Sequence, residues 1–364
     1  MKILYDGTIY KFQAAGGVNR YFENIINRLP ESFQPILTTS HLNNVNYPRR
    51  RDLKIHCYYK FGLRPNRVLS FLEQYYFRSK TFLSQPDLIH PTYYSLLTQK
   101  AFSAYQCPII ITVYDMIHER FPEQLDPDGQ QIEQKRKAIL DARVLLCISE
   151  NTKQDLLECY PEVEEKVKVI YLAADIDVSA IDSNPSVPES PYFIYVGGRW
   201  GYKNFDGLLR AFGKVASVRS DVMLCVVGSP FNEAEEQLIA DLKLCNRVQQ
   251  YGHIDDRALA TLYRHSVALV YPSLYEGFGI PPLEAMSCGT AVVASNCSSI
   301  PEVVGEAGIL FNPNATGDLA DILLFLLDNP IERDRLIAKG YKRAKLFNWD
   351  KTVAQTLDAY RSLL

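Results

Sequence analysis

Two glutamates with seven residues between them mark the stretch of this chain best suited to chemistry. Glu276 and Glu284 belong to the run Y-P-S-L-Y-E-G-F-G-I-P-P-L-E-A-M-S-C-G at 271–289. The prolines at 281 and 282 favour the start of a helix. This predicts Glu284 in the first turn of the helix and Glu276 in the loop before it. Two carboxylates held in this way could bind the hydroxyl groups of a sugar and a ribose.

Two glycines lie between these carboxylates and leave the backbone accessible to a ligand. Gly277 and Gly279 flank Phe278, so N–H groups in this loop can face a ligand without side-chain obstruction. The N-terminus of the following helix would attract a phosphate. The loop therefore combines groups that bind hydroxyls with groups that bind phosphate.

Two cations follow another glycine pair. Arg199 and Lys203 come just after Gly197-Gly198, which ends a predicted strand, and stand where the next helix begins. Cations at such a position can neutralise a diphosphate and help it leave. The alternative is surface charge near a turn, but together with the two glutamates the pattern favours a diphosphate site.

A third glycine pair, Gly16-Gly17, lies between a predicted strand at 2–5 and a helical pattern that begins at Val18. Strand, glycine loop and helix can present backbone amides to a phosphate. The run lacks the G-x-G-x-x-G fingerprint, which disfavours a dehydrogenase, and a tight turn explains the glycines equally well.

The elements that must position these residues alternate between strand and helix. Apolar runs predict strands at 2–5, 34–38, 88–90, 109–114, 144–149, 169–175, 192–196, 222–227, 248–251, 267–270, 291–294 and 308–311. Such alternation predicts an α/β protein with parallel sheets covered by helices on both faces. The segment 182–191 carries three prolines and three serines and is a linker by composition. Two doubly wound domains in series follow, with ligands at the carboxyl ends of their strands.

Composition narrows the class of protein. The chain has 364 residues, 47% of them hydrophobic and 22% charged, and its net charge of -3 gives no reason to expect nucleic acid as a partner. Its eight cysteines form no C-x-x-C pair, which favours buried free thiols in a reducing cytoplasm. No apolar run approaches the roughly 20 residues of a membrane span, and the first run is too short for a signal peptide. A cytoplasmic protein is expected.

One segment, 47–80, is strongly basic. It holds nine lysines and arginines against two acidic residues, with seven aromatic residues from Tyr58 to Phe77 between them. Such a segment could rest on anionic lipid at the inner face of the membrane or receive a phosphate-bearing acceptor. The alternative is a solvated face whose aromatic residues belong to the core.

At this point the chain resembles the retaining glycosyltransferases of family 4, over nearly its whole length. The resemblance rests on E-x7-E at 276–284, G-G-R-W-G-Y-K-N at 197–204, I-S-E-N-T-K-Q-D at 148–155 and S-S-I-P-E-V-V-G at 298–305. It implies the GT-B fold, two Rossmann-like doubly wound domains facing across a cleft. It also implies sugar transfer from a nucleotide-activated donor with retention of configuration, without a metal or other cofactor.

The resemblance assigns a role to each motif. Arg199 and Lys203 match the diphosphate-binding pair, Glu276 the carboxylate on the donor sugar, and Glu284 the carboxylate on the ribose. The backbone around Glu276 belongs to the same site, and two further glycine segments border the phosphates and the base. The substrate-binding residues implied in this way are Gly277, Phe278, Gly279, Ile280, Gly16, Gly17, Gly252 and His253, the last with a side chain expected to be structural.

The chain departs from the family at one position. Relatives commonly show His-Asp at the end of a strand in the first domain, where this chain has Tyr114-Asp115. Asp115, His118 and His90 are alternative candidates for contact with the acceptor or the reacting sugar. Otherwise each is a structural polar residue at a strand end. The other histidines have no ligand spacing, so no metal site is expected.

The expected enzyme moves a hexose, mannose first and a glucose-type sugar second, to a glycan or lipid-linked acceptor. GDP-mannose is the first donor candidate and a UDP-hexose the second. The alternatives are a nucleotide-sugar epimerase of the same fold and a non-catalytic glycan- or nucleotide-binding scaffold. The resemblance further implies an acceptor-side domain at 1–185, a nucleotide-sugar domain at 186–345, and a last helix at 346–364 that crosses back to the first domain. Trp349, Val353, Leu357 and Tyr360 form the apolar stripe of that helix.

Overall fold

A computed structural model describes residues 1–14, 16–41, 45, 47–59, 66–180 and 187–363, without the side chains of 66–68, 180 and 316. The chain divides into two compact units, 1–172 with 349–364, and 173–348. The boundaries expected from the sequence lie at 185/186 and 345/346. The first of these expected boundaries, and residues 182–186 of the predicted linker, lie outside the described residues.

Parallel strands form the centre of the first unit. Four of them pair in the order β3-β2-β1-β4 and three in the order β5-β6-β7, and a parallel bridge between Ile89 and Ile109 joins the two groups. The central strands are buried along nearly their whole length because helices cover both faces of such a sheet, whereas the edge strands contain exposed residues. They are β1 (Lys2–Asp6), β2 (Gln34–Ser40), β3 (Lys54–Tyr58), β4 (Leu88–Pro91), β5 (Ile110–Val113), β6 (Val144–Cys147) and β7 (Val167–Val169).

The helices of the first unit include the last helix of the chain. They are α1 (Gly17–Asn27), α2 (Asn66–Ser84), α3 (Ile117–Arg120), α4 (Pro122–Leu125), α5 (Gln130–Asp141), α6 (Glu150–Cys159) and α14 (Trp349–Arg361). All four residues expected in the apolar stripe of α14 are buried. The helix packs beside α1, where the rings of Trp349 and Tyr21 lie 6.3 Å apart.

The second unit repeats the same architecture with one six-stranded parallel sheet. Its order is β10-β9-β8-β11-β12-β13, so the strand order reverses between β8 and β11. The strands are β8 (Tyr192–Val196), β9 (Met223–Val227), β10 (Val248–Gly252), β11 (Ala268–Tyr271), β12 (Ala291–Ser295) and β13 (Ile309–Phe311). Reversal points of this kind place a ligand crevice at the carboxyl ends of the diverging strands.

In the described part of this unit, α-helices cover that sheet. They are α7 (Phe205–Val218), α8 (Glu233–Asp241), α9 (Asp256–His265), α10 (Ile280–Cys288), α11 (Ile300–Val304), α12 (Thr316–Asp328) and α13 (Pro330–Ala344). The apolar face of α7 enters the core, since Leu208, Leu209, Phe212 and Val215 are all fully buried. Two doubly wound α/β units, the predicted fold class, are therefore present.

The basic segment 47–80, for which the sequence predicted no particular strand or helix, contains the edge strand β3 and most of the helix α2. The strand predicted at 169–175 is instead β7, at Val167–Val169. Ile170 donates one last hydrogen bond to Cys147, and the following apolar residues are buried without strand partners. An apolar run in the sequence predicts that its residues are buried, but buried residues need not belong to a strand.

Candidate functional site

The carboxyl ends of β8 and β11 bring the cation loop and the carboxylate loop together. β8 leads into Gly197–Lys203, and β11 leads into the segment 272–279 that contains Glu276. Leu274 donates its N–H to the carbonyl of Tyr202 at 2.7 Å, which ties the two loops to each other. Lys203 and Glu276, 73 positions apart in sequence, are thereby placed within hydrogen-bond distance.

Lys203 and Glu276 form an ion pair in this crevice. The Lys203 Nζ lies 2.8 Å from both carboxylate oxygens of Glu276. The two side chains are 16% and 10% exposed, so water competes weakly for the charges. The Lys203 ammonium and the Glu276 carboxylate therefore satisfy each other.

Two serines hold the Glu276 loop in place. The N–H of Glu276 donates to Ser298 Oγ at 2.8 Å, and Ser299 Oγ donates to the carbonyls of Glu276 and Phe278, at 2.9 Å each. Both serines belong to the S-S-I-P-E-V-V-G motif at 298–305. Burial, and then the nearby Glu276 carboxylate, raise the pKa of the Tyr271 phenol well above its usual value. Tyr271 therefore stays protonated beside the site.

Glu284 lies deeper in the same unit. Helix α10 begins at Ile280, so Glu284 is its fifth residue. The sequence predicted Glu284 in the first turn of this helix, but the first turn contains no acidic residue. The helix starts before the prolines because Gly279 at its N-cap adopts a left-handed conformation (φ 103°). Glu284 is 6% exposed and accepts a hydrogen bond from the Tyr263 hydroxyl at 3.2 Å.

Arg199 lines a cavity of about 450 Å³ at the carboxyl ends of β8 and β9. Gly197, Gly228 and His253 are among the other lining residues. The cavity wall is fixed by the backbone, since the N–H of Gly228 donates to the carbonyl of Gly252 at 3.0 Å. Arg199 and His253 therefore line one cavity, with Gly252 next to His253 in sequence. Within the described part of the chain, the residues that line this cavity do not include Lys203 or Glu276.

In the first unit, the predicted glycine pair lies at the start of α1. Gly17 is the first helical residue, and Gly16 at the N-cap is extended (φ 165°), a conformation open to any residue. A left-handed turn is therefore not the reason for Gly16. The pair follows β1 along the chain and so stands on the carboxyl side of that strand.

Asp115 and His118 follow β5 along the chain, on the carboxyl side of that strand. Asp115 is one-third exposed, and its Oδ1 accepts the N–H of Ile117 at 3.1 Å. Lys135, only 1% exposed, donates to the Asp115 carbonyl at 2.6 Å and to Glu119 Oε2 at 2.8 Å. This buried cation was not foreseen. Its signal is a lysine in helical register with the buried Ala138 and Ile139.

His90 lies in the core, which corrects its assignment as a substrate contact. The side chain is fully buried, and burial lowers its pKa to about 3. Its Nδ1 shares a hydrogen bond with the Tyr360 hydroxyl at 2.7 Å, and its Nε2 shares one with Thr112 Oγ1 at 3.0 Å. Both ring nitrogens are thus used by the protein, and His90 anchors α14 rather than a substrate.

The described residues contain no cluster of three or more His, Cys, Asp or Glu side chains arranged to ligate a metal. Among the described helices, none combines the length and the apolar composition needed to span a bilayer.

Comparison with known families covers nearly the whole chain. A family model described as Glycosyl transferases group 1 matches residues 179–343, which contain the site of the second unit. A model described as Glycosyltransferase Family 4 matches residues 15–178.

Individual relatives agree with these models. The O-antigen chain mannosyltransferase B of Escherichia coli is 28% identical over 276 residues, covering 70% of each chain. The alpha-maltose-1-phosphate synthase of Mycobacterium tuberculosis (strain CDC 1551 / Oshkosh) is 30% identical over 305 residues, 75% of this chain and 78% of the relative. Among solved structures, Anabaena Alr3699/HepE in complex with UDP and glucose superposes with a TM-score of 0.79 at 18% identity, covering 100% of both chains.

Proposed function

The chain belongs to the family 4 glycosyltransferases of GT-B fold, and from this we propose that it transfers mannose from GDP-mannose to a glycan or lipid-linked acceptor. A UDP-hexose is the second donor candidate. The name of the E. coli relative supports mannose, and the UDP and glucose bound to the Anabaena protein support the second candidate. We further propose that transfer retains the anomeric configuration and needs no metal.

The observation that carries this proposal is the Lys203–Glu276 pair at the crevice of the second sheet. When the donor binds, Lys203 exchanges Glu276 for the diphosphate, and Arg199 donates to the same group. Glu276 then accepts hydrogen bonds from hydroxyls of the transferred sugar, and Glu284 binds the ribose. The backbone from Gly277 to Ile280 contributes N–H groups near the sugar, and Gly252 and His253 border the base.

The proposed reaction takes place on one face of the sugar. The bond between the anomeric carbon and the diphosphate oxygen breaks, and a bond to the acceptor oxygen forms on the same face. The acceptor proton passes to the departing phosphate oxygen, so that a nucleoside diphosphate and the glycoside are the products. Arg199 and Lys203 stabilise the negative charge that develops on the leaving group. No protein nucleophile is required.

In the first unit, we propose that Gly16, Gly17, Asp115 and His118 contact the acceptor or the reacting sugar. All four follow the carboxyl end of a strand, where ligands of such sheets bind. The Asp115 carboxylate is held by the Ile117 N–H yet remains partly exposed, which suits a hydrogen-bond acceptor for a sugar hydroxyl.

Transfer from a labelled donor is the decisive experiment. Thermal shift with a panel of nucleotide sugars first identifies the donor by its stabilisation of the enzyme. Transfer to candidate acceptors is then measured for the wild type and for Glu276→Ala, which should lose activity while remaining folded. Glu306→Ala, which removes an exposed carboxylate from the same unit, is the control. Full activity of Glu276→Ala, or donor conversion without any acceptor, would refute the proposal.

We also propose that the first unit rests on anionic lipid at the cytoplasmic face of the membrane. Of the aromatic residues in the basic segment 47–80, Phe77 is buried, but Phe71 and Tyr75 are each 65% exposed. Phe82, further along α2, is 77% exposed and lies on the same helical face, at spacings of four and seven residues. An exposed apolar face on a basic helix is typical of membrane-surface contact.

Positive charge lies next to this face. Lys2, Lys54, His56 and Lys80 line a concavity of about 550 Å³ together with Leu83 of α2, and the acidic Glu31 and Asp52 line it as well, so that the lysines outnumber the carboxylates by one. Burial, and then the charges of Lys80 and Lys54, lower the pKa of His56. The lysines therefore create a positive potential that suits anionic headgroups.

Vesicle flotation tests the membrane proposal. The wild type should float with phosphatidylglycerol vesicles and not with phosphatidylcholine vesicles. The double variant Phe71→Ser/Phe82→Ser should lose flotation, while Ile331→Ser, which removes an 84% exposed residue of the second unit, should keep it. Binding that survives the double substitution would contradict the assignment of α2.

A further inference from the structure

A carboxylate outside every sequence motif holds Arg199. Glu235 accepts two parallel hydrogen bonds from the guanidinium, Nε to Oε1 at 2.8 Å and Nη2 to Oε2 at 3.1 Å. The Arg199 and Glu235 side chains are only 5% and 7% exposed. Planar bidentate pairing of this kind fixes the orientation of an arginine as well as its position.

Other contacts restrict the guanidinium further. Nη2 also donates to the carbonyl of Pro230 at 2.6 Å. The guanidinium carbon lies 4.9 Å from the ring centre of Phe231 and 5.5 Å from that of Phe205. Arg199 is thus held by an ion pair, a carbonyl and two aromatic rings.

Glu235 is itself fixed by the start of α8. Its Oε2 accepts the N–H of Asn232 at 2.9 Å, and its own N–H donates to Asn232 Oδ1 at 2.9 Å. These reciprocal bonds form a capping box. Glu233 and Glu236, in the same first turn, are exposed. One of three neighbouring carboxylates has therefore been turned inward onto Arg199.

One nitrogen of Arg199 is left over. Nη1 is buried and has no hydrogen-bond partner among the described residues. It lies beside Gly228, 3.5 Å from the place where a Cβ would stand, and both residues line the cavity of about 450 Å³. Gly228 has a φ of 147°, and a Cβ there would approach the Gly197 carbonyl to 2.5 Å. The chain therefore keeps a side-chain-free wall next to an unused donor.

We propose that Glu235 is a positioning residue, which fixes Arg199 so that Nη1 donates to the diphosphate of the nucleotide. This inference rests on the proposed function, since it takes Arg199 as a diphosphate ligand. Glu235 cancels the charge of Arg199, so the pair offers an oriented donor with little net charge, and Lys203 supplies the net positive charge.

The two possible roles of Arg199 predict opposite signs for Glu235→Gln. If Arg199 acted through its charge alone, removing the neighbouring carboxylate would strengthen binding of a nucleoside diphosphate. If its orientation matters, the same substitution weakens binding, because glutamine cannot accept both guanidinium hydrogen bonds. Glutamine still offers one oxygen to the Asn232 N–H, so the helix cap is largely retained.

Titration calorimetry with GDP and UDP tests the proposal. We expect Glu235→Gln to raise the Kd of the preferred nucleotide roughly tenfold, the equivalent of one charge-assisted hydrogen bond, and to raise the donor KM in parallel. Arg199→Ala should raise the Kd at least as much, and the double variant should match Arg199→Ala. Glu233→Gln and Glu236→Gln remove the same charge from the same turn and should bind like the wild type.

Several other outcomes of these titrations would contradict the proposal. Tighter or unchanged binding by Glu235→Gln, or additive effects in the double variant, would overturn the positioning role. Thermal unfolding of each variant separates lost folding from lost binding. Phe231→Leu, which loosens Arg199 without changing any charge, should weaken binding too, and wild-type affinity in that variant would also count against the proposal. Wild-type affinity in Arg199→Ala would instead refute the diphosphate role of Arg199 in the proposed function.

Discussion

Replacing Glu276 by glutamine should separate nucleotide binding from sugar transfer. Lys203 Nζ lies 2.8 Å from both carboxylate oxygens of Glu276, and it must leave them to reach a diphosphate. Glu276→Gln removes the charge from that competitor. The loss of competition favours the free nucleoside diphosphate, whereas transfer loses the carboxylate that would bind the sugar.

The size of the effect follows from the geometry of the pair. Hydrogen bonds to charged groups contribute about 1.5–3 kcal/mol net, and each 1.4 kcal/mol changes an equilibrium constant about tenfold. The pair is 16% and 10% exposed, so solvent screens part of its energy, and glutamine can still accept one hydrogen bond. The lower end of the range is therefore appropriate. The Kd of the nucleoside diphosphate should fall roughly tenfold.

Calorimetric titration with GDP and UDP measures the Kd directly. It is carried out on the wild type, Glu276→Gln, Lys203→Met and the double variant. Lys203→Met should weaken binding, and the double variant should bind as Lys203→Met does, because the competitor matters only while the lysine is present. Glu306→Gln serves as the matched control. Weaker binding by Glu276→Gln, or a further gain from it in the Lys203→Met background, would show that the two side chains do not compete as described.

The remaining predictions concern the core of the first unit and the absence of a metal. Tyr360→Phe should lower the free energy of unfolding by about 1–3 kcal/mol in urea titrations, because His90 Nδ1 loses a buried partner, whereas Tyr75→Phe, at an exposed position, should leave it unchanged. Burial lowers the pKa of His90 to about 3 from 6.5, so stability should fall as pH drops from about 6.5 towards 3, where the unfolded chain binds the proton first. The fall should be smaller in His90→Gln, and equal slopes in the two proteins would contradict a neutral buried histidine. Incubation with EDTA should leave transfer activity unchanged, and restoration of lost activity by a divalent cation would refute a metal-independent reaction.

The sequence was most informative where residue type and local spacing set the structure. Apolar runs separated by amphipathic segments predicted both doubly wound units, because strands covered on both faces need continuous apolar sequence. The Arg199, Lys203 and Glu276 positions were recognisable because glycines and charged residues followed those strands directly. Such signals are contained within a few neighbouring residues.

Errors arose where a local pattern had two structural outcomes. The run after Val169 is buried but forms no strand, and α10 begins one residue ahead of its prolines because Gly279 turns the chain there. His90 lies near the end of β4, where active-site residues are often found, yet its ring is buried between Tyr360 and Thr112. Spacing in the sequence does not show whether a side chain near a strand end faces the ligand crevice or the core.

The sequence by itself thus determined the family, the two α/β units and the presence of charged residues after the strands of the second unit. Only the tertiary structure decided how those charges pair: Lys203 with Glu276, Arg199 with Glu235, and His90 with Tyr360. These partners are 73, 36 and 270 residues apart along the chain. A parallel sheet brings the ends of distant strands to one edge, so partners there are set by strand order and helix register rather than by spacing in the sequence.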